Sequence, residues 1–301
     1  MKQALEVLLA GVVDYAGLFP PAALDMAAAT QAYAQYLDDP ARSMLGRFVV
    51  PVVRLREFEE AAAALLPRGV ASEPWRLSAL PGPDLTADID LALKFNCRHW
   101  NESEIGHAVI DTLEIKVSTP PEIASACSIM PRQFAPYFEI PIGNDPLELV
   151  AAIKRGGGFA KARTGGVVAS AFPDAKDVAR FMVRCRDAPV AFKLTAGLHH
   201  PLRAEYRLTY APDAPRGTMF GYLNMFVAAV LAWNGADESV ILSALLSQSP
   251  RDFHFSDDAV AFDDNSVSIA VVREAREKFI MSFGSCSFRE PVDDLAALSI
   301  S

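Results

Sequence analysis

The sequence predicts an α/β fold, a single (β/α)8 barrel (TIM barrel) that extends over residues 1–301. Short apolar runs rich in β-branched and aromatic residues alternate eight times with helical patterns, as in a parallel βα architecture. The chain has 301 residues, 51% of them hydrophobic, and barrels of this kind commonly reach about 250 residues or more as one unit. No G-x-G-x-x-G follows the first apolar run, so an open dinucleotide-binding sheet is the less favoured alternative.

The first four βα units follow one another without an insertion. Pro120 and Pro121 open the fourth helix, where the fixed φ of proline suits a first turn. The predicted strands are 11–16, 47–53, 75–80 and 112–118, and the helices that follow them are 25–37, 57–66, a segment within 85–95, and 120–129.

The last four units include an insertion, the helix 239–248, before the eighth strand. Asp145 and Pro146 cap and open the fifth helix. The Phe- and Met-rich segment 219–233 is interpreted as core or as a contact between copies in a homo-oligomer. The predicted strands are 137–142, 159–164, 190–195 and 252–256, and their helices are 147–155, 174–186, 218–233 and 268–283.

Charge and composition restrict the partners. The formal net charge is -9, which argues against binding to nucleic acid or an anionic membrane, because phosphate contacts need a basic face. The four cysteines are widely spaced, so a reducing compartment is expected. Glu6 interrupts the short N-terminal apolar stretch, and no apolar run reaches the ~20 residues of a membrane helix. We therefore expect a cytoplasmic protein with a small-molecule substrate.

Ionisable side chains share one face of several adjacent strands, because successive side chains on a strand point to opposite faces. In a barrel, the opposite, apolar face of each strand packs against the helices. The set indicates a functional centre, although an internal network of salt bridges would produce the same pattern. The residues are Glu114 and Lys116, Glu139, Lys161 and Arg163, and Lys193, with Asp14, Arg76 and His254 as further candidates from other strands.

Two neighbouring lysines suggest amine chemistry. A lysine attacks a carbonyl only when it is neutral, and its free pKa of about 10.4 must be lowered by burial or by a second ammonium group. We predict that Lys161 forms a Schiff base, that Lys193 is its pKa-lowering neighbour and that Glu139 orients the amine or relays protons.

These segments resemble the class I aldolases of the deoxyribose-phosphate aldolase type. In that family a Schiff-base lysine lies on strand six in a Lys-x-x-Thr-Gly motif, and a second lysine precedes a Gly-containing turn on strand seven. Lys161-Ala162-Arg163-Thr164-Gly165 matches the first motif, and Phe192-Lys193-Leu194-Thr195-Ala196-Gly197 is similar to the second. The segment 138–143 is similar to the family's Ile-Glu-Thr-Gly region. The resemblance covers about residues 135–205 and implies a (β/α)8 carbon–carbon lyase.

The predicted site binds a small anionic carbonyl compound, such as a sugar phosphate, and uses neither a cofactor nor a metal ion. Arg163 could hold a carboxylate or phosphate through its planar guanidinium. The chain departs from the family in lacking an acidic residue at the end of strand three. The predicted substrate-binding residues are Arg163, Thr164, Gly165, Gly166, Gly197, His199 and His200.

Two alternatives stay open. His199 and His200, with His254 as a third ligand, would suit a metal-dependent hydrolase or isomerase. A ligand-binding barrel without catalysis would carry the same lysines.

The segment 14–21 is interpreted as a loop covering the barrel mouth rather than as the source of a catalytic Asp14. Cys286, with no evident base beside it, is interpreted as a small buried residue.

Overall fold

Eight parallel strands close into a barrel in the computed structural model, which describes residues 2–69, 71–101 and 105–298. The predicted α/β class and the (β/α)8 barrel are therefore confirmed. The strands of the described chain are β1 (Val13–Tyr15), β2 (Leu45–Pro51), β3 (Trp75–Leu80), β4 (Ala108–Lys116), β5 (Ala135–Glu139), β6 (Phe159–Arg163), β7 (Phe192–Thr195), β8 (Ala204–Arg207), β9 (Arg216–Met219), β10 (Phe253–Phe255), β11 (Ala259–Phe262), β12 (Asn265–Ser268) and β13 (Ile280–Ser285).

Helices surround the barrel, and the helix Pro120–Ile129 begins at a complete side-chain cap. Thr119 accepts a hydrogen bond from the Glu122 backbone N–H, and the Glu122 side chain accepts one from the Thr119 N–H, which completes a capping box. The helices are α1 (Gln3–Leu9), α2 (Met26–Leu37), α3 (Leu55–Ala62), α4 (Leu85–Asn101), α5 (Pro120–Ile129), α6 (Leu147–Gly156), α7 (Ala175–Asp187), α8 (Tyr222–Trp233), α9 (Glu238–Leu246), α10 (Ile269–Lys278) and α11 (Arg289–Ala297). Within the described ranges, no helix has the length and apolar character needed to cross a lipid bilayer.

The barrel strands follow the order β1-β13-β7-β6-β5-β4-β3-β2 before closing on β1. Lys161 on β6 is the register partner of Glu139 on β5 and of Lys193 on β7. Side chains at matching positions of neighbouring parallel strands point to the same side of the sheet. This register brings the charged residues of the three strands together inside the barrel.

The predicted eighth strand, 252–256, is wrong. That segment contains β10, which belongs to a separate antiparallel sheet with β11 and β12. The eighth barrel strand is β13, which the sequence analysis included in a helix over 268–283. Helix α10 ends at Lys278, and β13 pairs with β1 and β7. Because β13 is buried over most of its length, its apolar residues show no clean alternation and continue the helical pattern before it.

The segment 218–233 is divided between two elements. Its start belongs to β9, which forms an antiparallel hairpin with β8, and the helix α8 begins only at Tyr222. Every residue from Tyr222 to Ala232 is buried, and α8 packs against α7, α9 and α10. The Phe- and Met-rich segment is therefore core of the single chain.

Asn224 is a polar side chain of α8 that lies fully inside this core. Its Nδ2 donates to the carbonyl oxygens of Ala244 (2.7 Å) and Ser247 (2.8 Å), and its Oδ1 accepts from the Arg203 N–H (2.9 Å). The side chain thus ties the segment after β7 and the end of α9 to α8.

Asn224→Ala should lower the free energy of unfolding by roughly 2–4 kcal/mol, because buried backbone groups lose their partners. Denaturant titration of the two proteins measures the change. Gln31→Ala, on the exposed side of α2, is the matched control and should have little effect. An Asn224→Ala protein as stable as this control would contradict the assignment.

Candidate active site

Two lysines and three carboxylates lie together inside the barrel. The Nζ atom of Lys161 is 2.6 Å from Glu114 Oε2 and 2.6 Å from Glu139 Oε2. The Nζ atom of Lys193 is 2.5 Å from Asp14 Oδ2 and 2.5 Å from Glu114 Oε1. Glu114 therefore bridges both ammonium groups, one with each carboxylate oxygen. We call these five residues the lysine cluster.

Neutral hydrogen-bond donors also contact Glu114 and Asp14, the two most buried carboxylates of the cluster. Ser78 Oγ donates to Glu114 Oε1 (2.6 Å), and Ser282 Oγ donates to Asp14 Oδ2 (2.6 Å). The backbone N–H of Arg47 donates to Asp14 Oδ1 (2.8 Å). With residue exposures of 3% for Lys161 and 2% for Lys193, the cluster needs these partners, because an unpaired buried charge costs several kcal/mol.

The electrostatics of the cluster hold its inner members charged. Burial by itself would raise the pKa of the Glu114 carboxyl, but the ammonium groups of Lys161 and Lys193 hold that pKa well below its ordinary value. Burial would likewise lower the pKa of Lys193, yet Asp14 and Glu114 raise it above the ordinary value. At Lys193 the two carboxylates therefore outweigh burial, which by itself favours a neutral amine.

The outer part of the cluster reaches solvent through Arg163. Glu139 Oε1 accepts from Arg163 Nε at 3.1 Å, and the Arg163 side chain is 52% exposed against 4% for Lys161. Burial would raise the pKa of Glu139, but Lys161 and then Arg163 lower it. Glu139 thus connects a buried amine to a solvent-facing guanidinium.

The predicted glycines and Thr164 pack the loops after β6 and β7 together. Thr164 Oγ1 donates to the carbonyl oxygen of Ala196 (2.8 Å). A Cβ built on Gly165 would lie 2.8 Å from the Gly197 Cα and 2.6 Å from the Phe172 ring, and Gly197 has φ +74°. A Cβ on the following residue, Gly166, would lie 2.8 Å from Ala171 Cβ. Gly165 and Gly197 are thus explained by the close approach of the two loops, and Gly166 by a close contact within the loop after β6.

The predicted histidines lie together but outside the lysine cluster. His199 Nδ1 is 3.1 Å from Glu290 Oε2, and His200 Nδ1 is 2.5 Å from Asp294 Oδ2. The His200 ring stacks on Tyr206 with the ring centroids 3.6 Å apart. Neither histidine is a partner of a lysine in the cluster.

Three expected interior groups lie elsewhere. His254 is exposed on β10, outside the barrel, so it does not join His199 and His200 as a metal ligand. Across residues 2–69, 71–101 and 105–298, no three His, Cys, Asp or Glu side chains are grouped to hold a metal ion. Arg76 is exposed and pairs with Asp111 (2.5 Å), and Lys116 is exposed at the end of β4.

Two contacts were not predicted from the sequence. Asp14, named as a possible interior group but given no catalytic role, is buried on β1 and is a partner of Lys193. A single acid inside the apolar run GVVDYA was the available signal. Cys286 was expected to have no base nearby, which is wrong, because its Sγ lies 4.0 Å from His199 Nδ1. That contact joins loops 87 residues apart, and no local pattern indicates it.

Comparison with known proteins finds no match to a family model, to a curated protein or to a solved structure. The site is therefore interpreted from its own geometry.

Glu114→Gln should lower the free energy of unfolding by roughly 3–5 kcal/mol near neutral pH, because it leaves two buried ammonium groups short of a countercharge. The folded-state pKa of Glu114 is depressed, so its contribution is complete above the ordinary carboxyl pKa of 4.5 and is lost as the pH falls from there through the folded-state value. Denaturant titrations at several pH values measure both effects.

The control for this substitution is Glu57→Gln. Glu57 forms an exposed ion pair with Arg54 (2.7 Å), and exposed pairs add little to stability. Equal stability of the two variants at neutral pH would contradict the role given to Glu114, as would a difference between wild type and Glu114→Gln that does not shrink in acid.

Proposed function

We propose that the barrel is a class I, Schiff-base-forming lyase of the aldolase type that acts on a small anionic carbonyl compound. The observation that carries this proposal is the unequal environment of two in-register lysines. Lys193 lies between Asp14 and Glu114 in the interior, whereas Lys161 lies between Glu114 and the outer carboxylate of Glu139. One lysine is built to stay charged, and the other has a proton acceptor on the side of the barrel mouth.

Lys161 is the proposed nucleophile. Its ammonium proton passes to Glu139, whose Oε2 is 2.6 Å from Nζ, and the neutral amine then adds to the substrate carbonyl carbon. The amine proton moves to the carbonyl oxygen to give a carbinolamine. Glu139 returns its proton to that hydroxyl group, water leaves, and the nitrogen lone pair forms the iminium bond.

The iminium ion then accepts the electron pair of the carbon–carbon bond that breaks. A carboxylate removes the proton of the substrate hydroxyl two carbons from the iminium carbon, an aldehyde forms, and the bonding electrons pass into an enamine on Lys161. Glu139 is the proposed base because it is the least buried carboxylate of the cluster, with a side-chain exposure of 13%. Lys193 acts as a fixed positive charge at the paired position of the neighbouring strand.

Arg163 supports an anionic substrate. Its Nε is bonded to Glu139, and among the described residues no hydrogen-bond partner is found for its two Nη atoms. A half-exposed guanidinium with free N–H donors suits bidentate hydrogen bonding to a carboxylate or a phosphate. The substrate group that it binds would lie close to the carbonyl attacked by Lys161.

Borohydride reduction tests the proposal. The protein is incubated with small aldehydes and ketones, with and without carboxylate or phosphate groups, then reduced, digested and examined by mass spectrometry. We expect a reduced adduct on Lys161, more of it with the anionic compounds, and none on Lys193, whose ammonium group is held by two carboxylates.

Lys161→Arg keeps the charge that the cluster needs but forms no imine, and it should abolish the adduct. Lys94, an exposed lysine paired with Asp90 on α4, reports background labelling in the same digest. A Lys161 that stays unmodified across the whole panel, or that is labelled no more than Lys94, contradicts the proposed lyase and leaves a binding barrel.

A further inference from the structure

A second group of reactive side chains lies beyond the carboxyl ends of β7 and β13. Cys286 directly follows β13, and its Sγ is 4.0 Å from His199 Nδ1 and 3.5 Å from the Tyr210 hydroxyl. Two polar side chains from separate segments therefore lie within contact distance of one thiol.

Glu290 fixes the two side chains that face the thiol. Its Oε2 is 3.1 Å from His199 Nδ1 and accepts a hydrogen bond from Tyr210 at 3.1 Å. Burial would lower the pKa of His199, but Cys286 and Glu290 raise it to about 9. Burial would raise the pKa of the thiol, whereas His199, and after it Tyr210 and Ala22, lower it. Each of the two groups therefore favours the charged form of the other.

A cavity of about 340 Å³ opens beside the partners of Cys286, and Cys286 itself, 5% exposed, is not one of its wall residues. His199, Tyr210 and Glu290 form part of its wall, and the hairpin β8–β9 adds Arg207 and Arg216. None of the five residues of the lysine cluster borders it. The volume is in the range of small-ligand sites.

The two arginines are directly opposite each other in the hairpin register. Like charges at paired positions of adjacent strands destabilise a hairpin. Arg216 Nη2 donates to the Glu205 carbonyl oxygen, and among the described residues no acidic side chain pairs with either guanidinium. An anion in the cavity would relieve this repulsion.

We propose that Cys286 is a nucleophilic thiol serving this cavity, and that the cavity takes a small aldehyde bearing a carboxylate or phosphate group. The thiolate sulfur bonds to the carbonyl carbon, and the π electrons of the carbonyl pass to its oxygen. That oxygen takes the proton of the His199 imidazolium, which gives a neutral thiohemiacetal without a leaving group. Arg207 and Arg216 hold the anionic group. This site functions independently of Lys161 and Lys193.

Alkylation of the wild-type protein tests the anion preference. Iodoacetate and iodoacetamide are close in size but differ in charge, and peptide mass spectrometry follows each cysteine separately. The ratio of the iodoacetate rate to the iodoacetamide rate should be roughly tenfold higher at Cys286 than at Cys97, because a positive cavity concentrates the anion. Cys97 is exposed and serves as the internal reference.

Substitutions separate the two parts of the site. Replacing both Arg207 and Arg216 by Gln should remove the preference for iodoacetate, so that the ratio of the iodoacetate rate to the iodoacetamide rate at Cys286 falls to that at Cys97. His199→Gln should slow both reagents at Cys286 at neutral pH, because less of the sulfur is thiolate. Glyoxylate, a carboxylate-bearing aldehyde, should protect Cys286 from iodoacetamide, and propionaldehyde should protect it less.

An equal ratio of iodoacetate to iodoacetamide alkylation rates at Cys286 and Cys97 would contradict the proposed anion-binding site. A Cys286 alkylation rate that His199→Gln does not change would contradict the nucleophilic role of the thiol. Absence of protection by glyoxylate would overturn the aldehyde as ligand.

Discussion

The carboxylate of Glu114 is the interaction on which the rest of the barrel interior depends. Each of its oxygens meets one ammonium group, at 2.6 Å for Lys161 and 2.5 Å for Lys193. Two buried cations side by side repel each other strongly at low dielectric, so the lysines need a shared countercharge. Every barrel strand gives one group to the resulting network: Asp14, the Arg47 N–H, Ser78, Glu114, Glu139, Lys161, Lys193 and Ser282.

This network gives its two lysines different chemistry. Lys193 has its two carboxylates in the interior and a raised pKa, so it remains a cation. Lys161 shares Glu139 with a solvent-facing arginine, which gives its proton a route toward the barrel mouth. The proposed Schiff-base role follows from this division between a fixed charge and an amine with an outward proton acceptor.

The sequence predicted the part of the site that lies on regular consecutive strands. Alternation on β5, β6 and β7 assigned Glu139, Lys161 and Lys193 to the interior, because no insertion interrupts the register there. Asp14 was predicted as a possible interior group, but its pairing with Lys193 was not, because β1 and β7 are not neighbouring strands in the barrel. The strand β13 was missed because burial removes its alternation. The pairing of Cys286 with His199 depends on tertiary packing alone.

The protonation state of Lys193 tests the account most directly. Carbon-13 NMR of lysine labelled at Cε follows each side-chain amine through a pH titration, and Lys193→Arg assigns the resonance. The resonance should stay at its protonated position as the pH passes the ordinary lysine value of 10.5. A Lys193 that loses its proton at or below that pH would contradict the ion-pair network and the mechanism built on it.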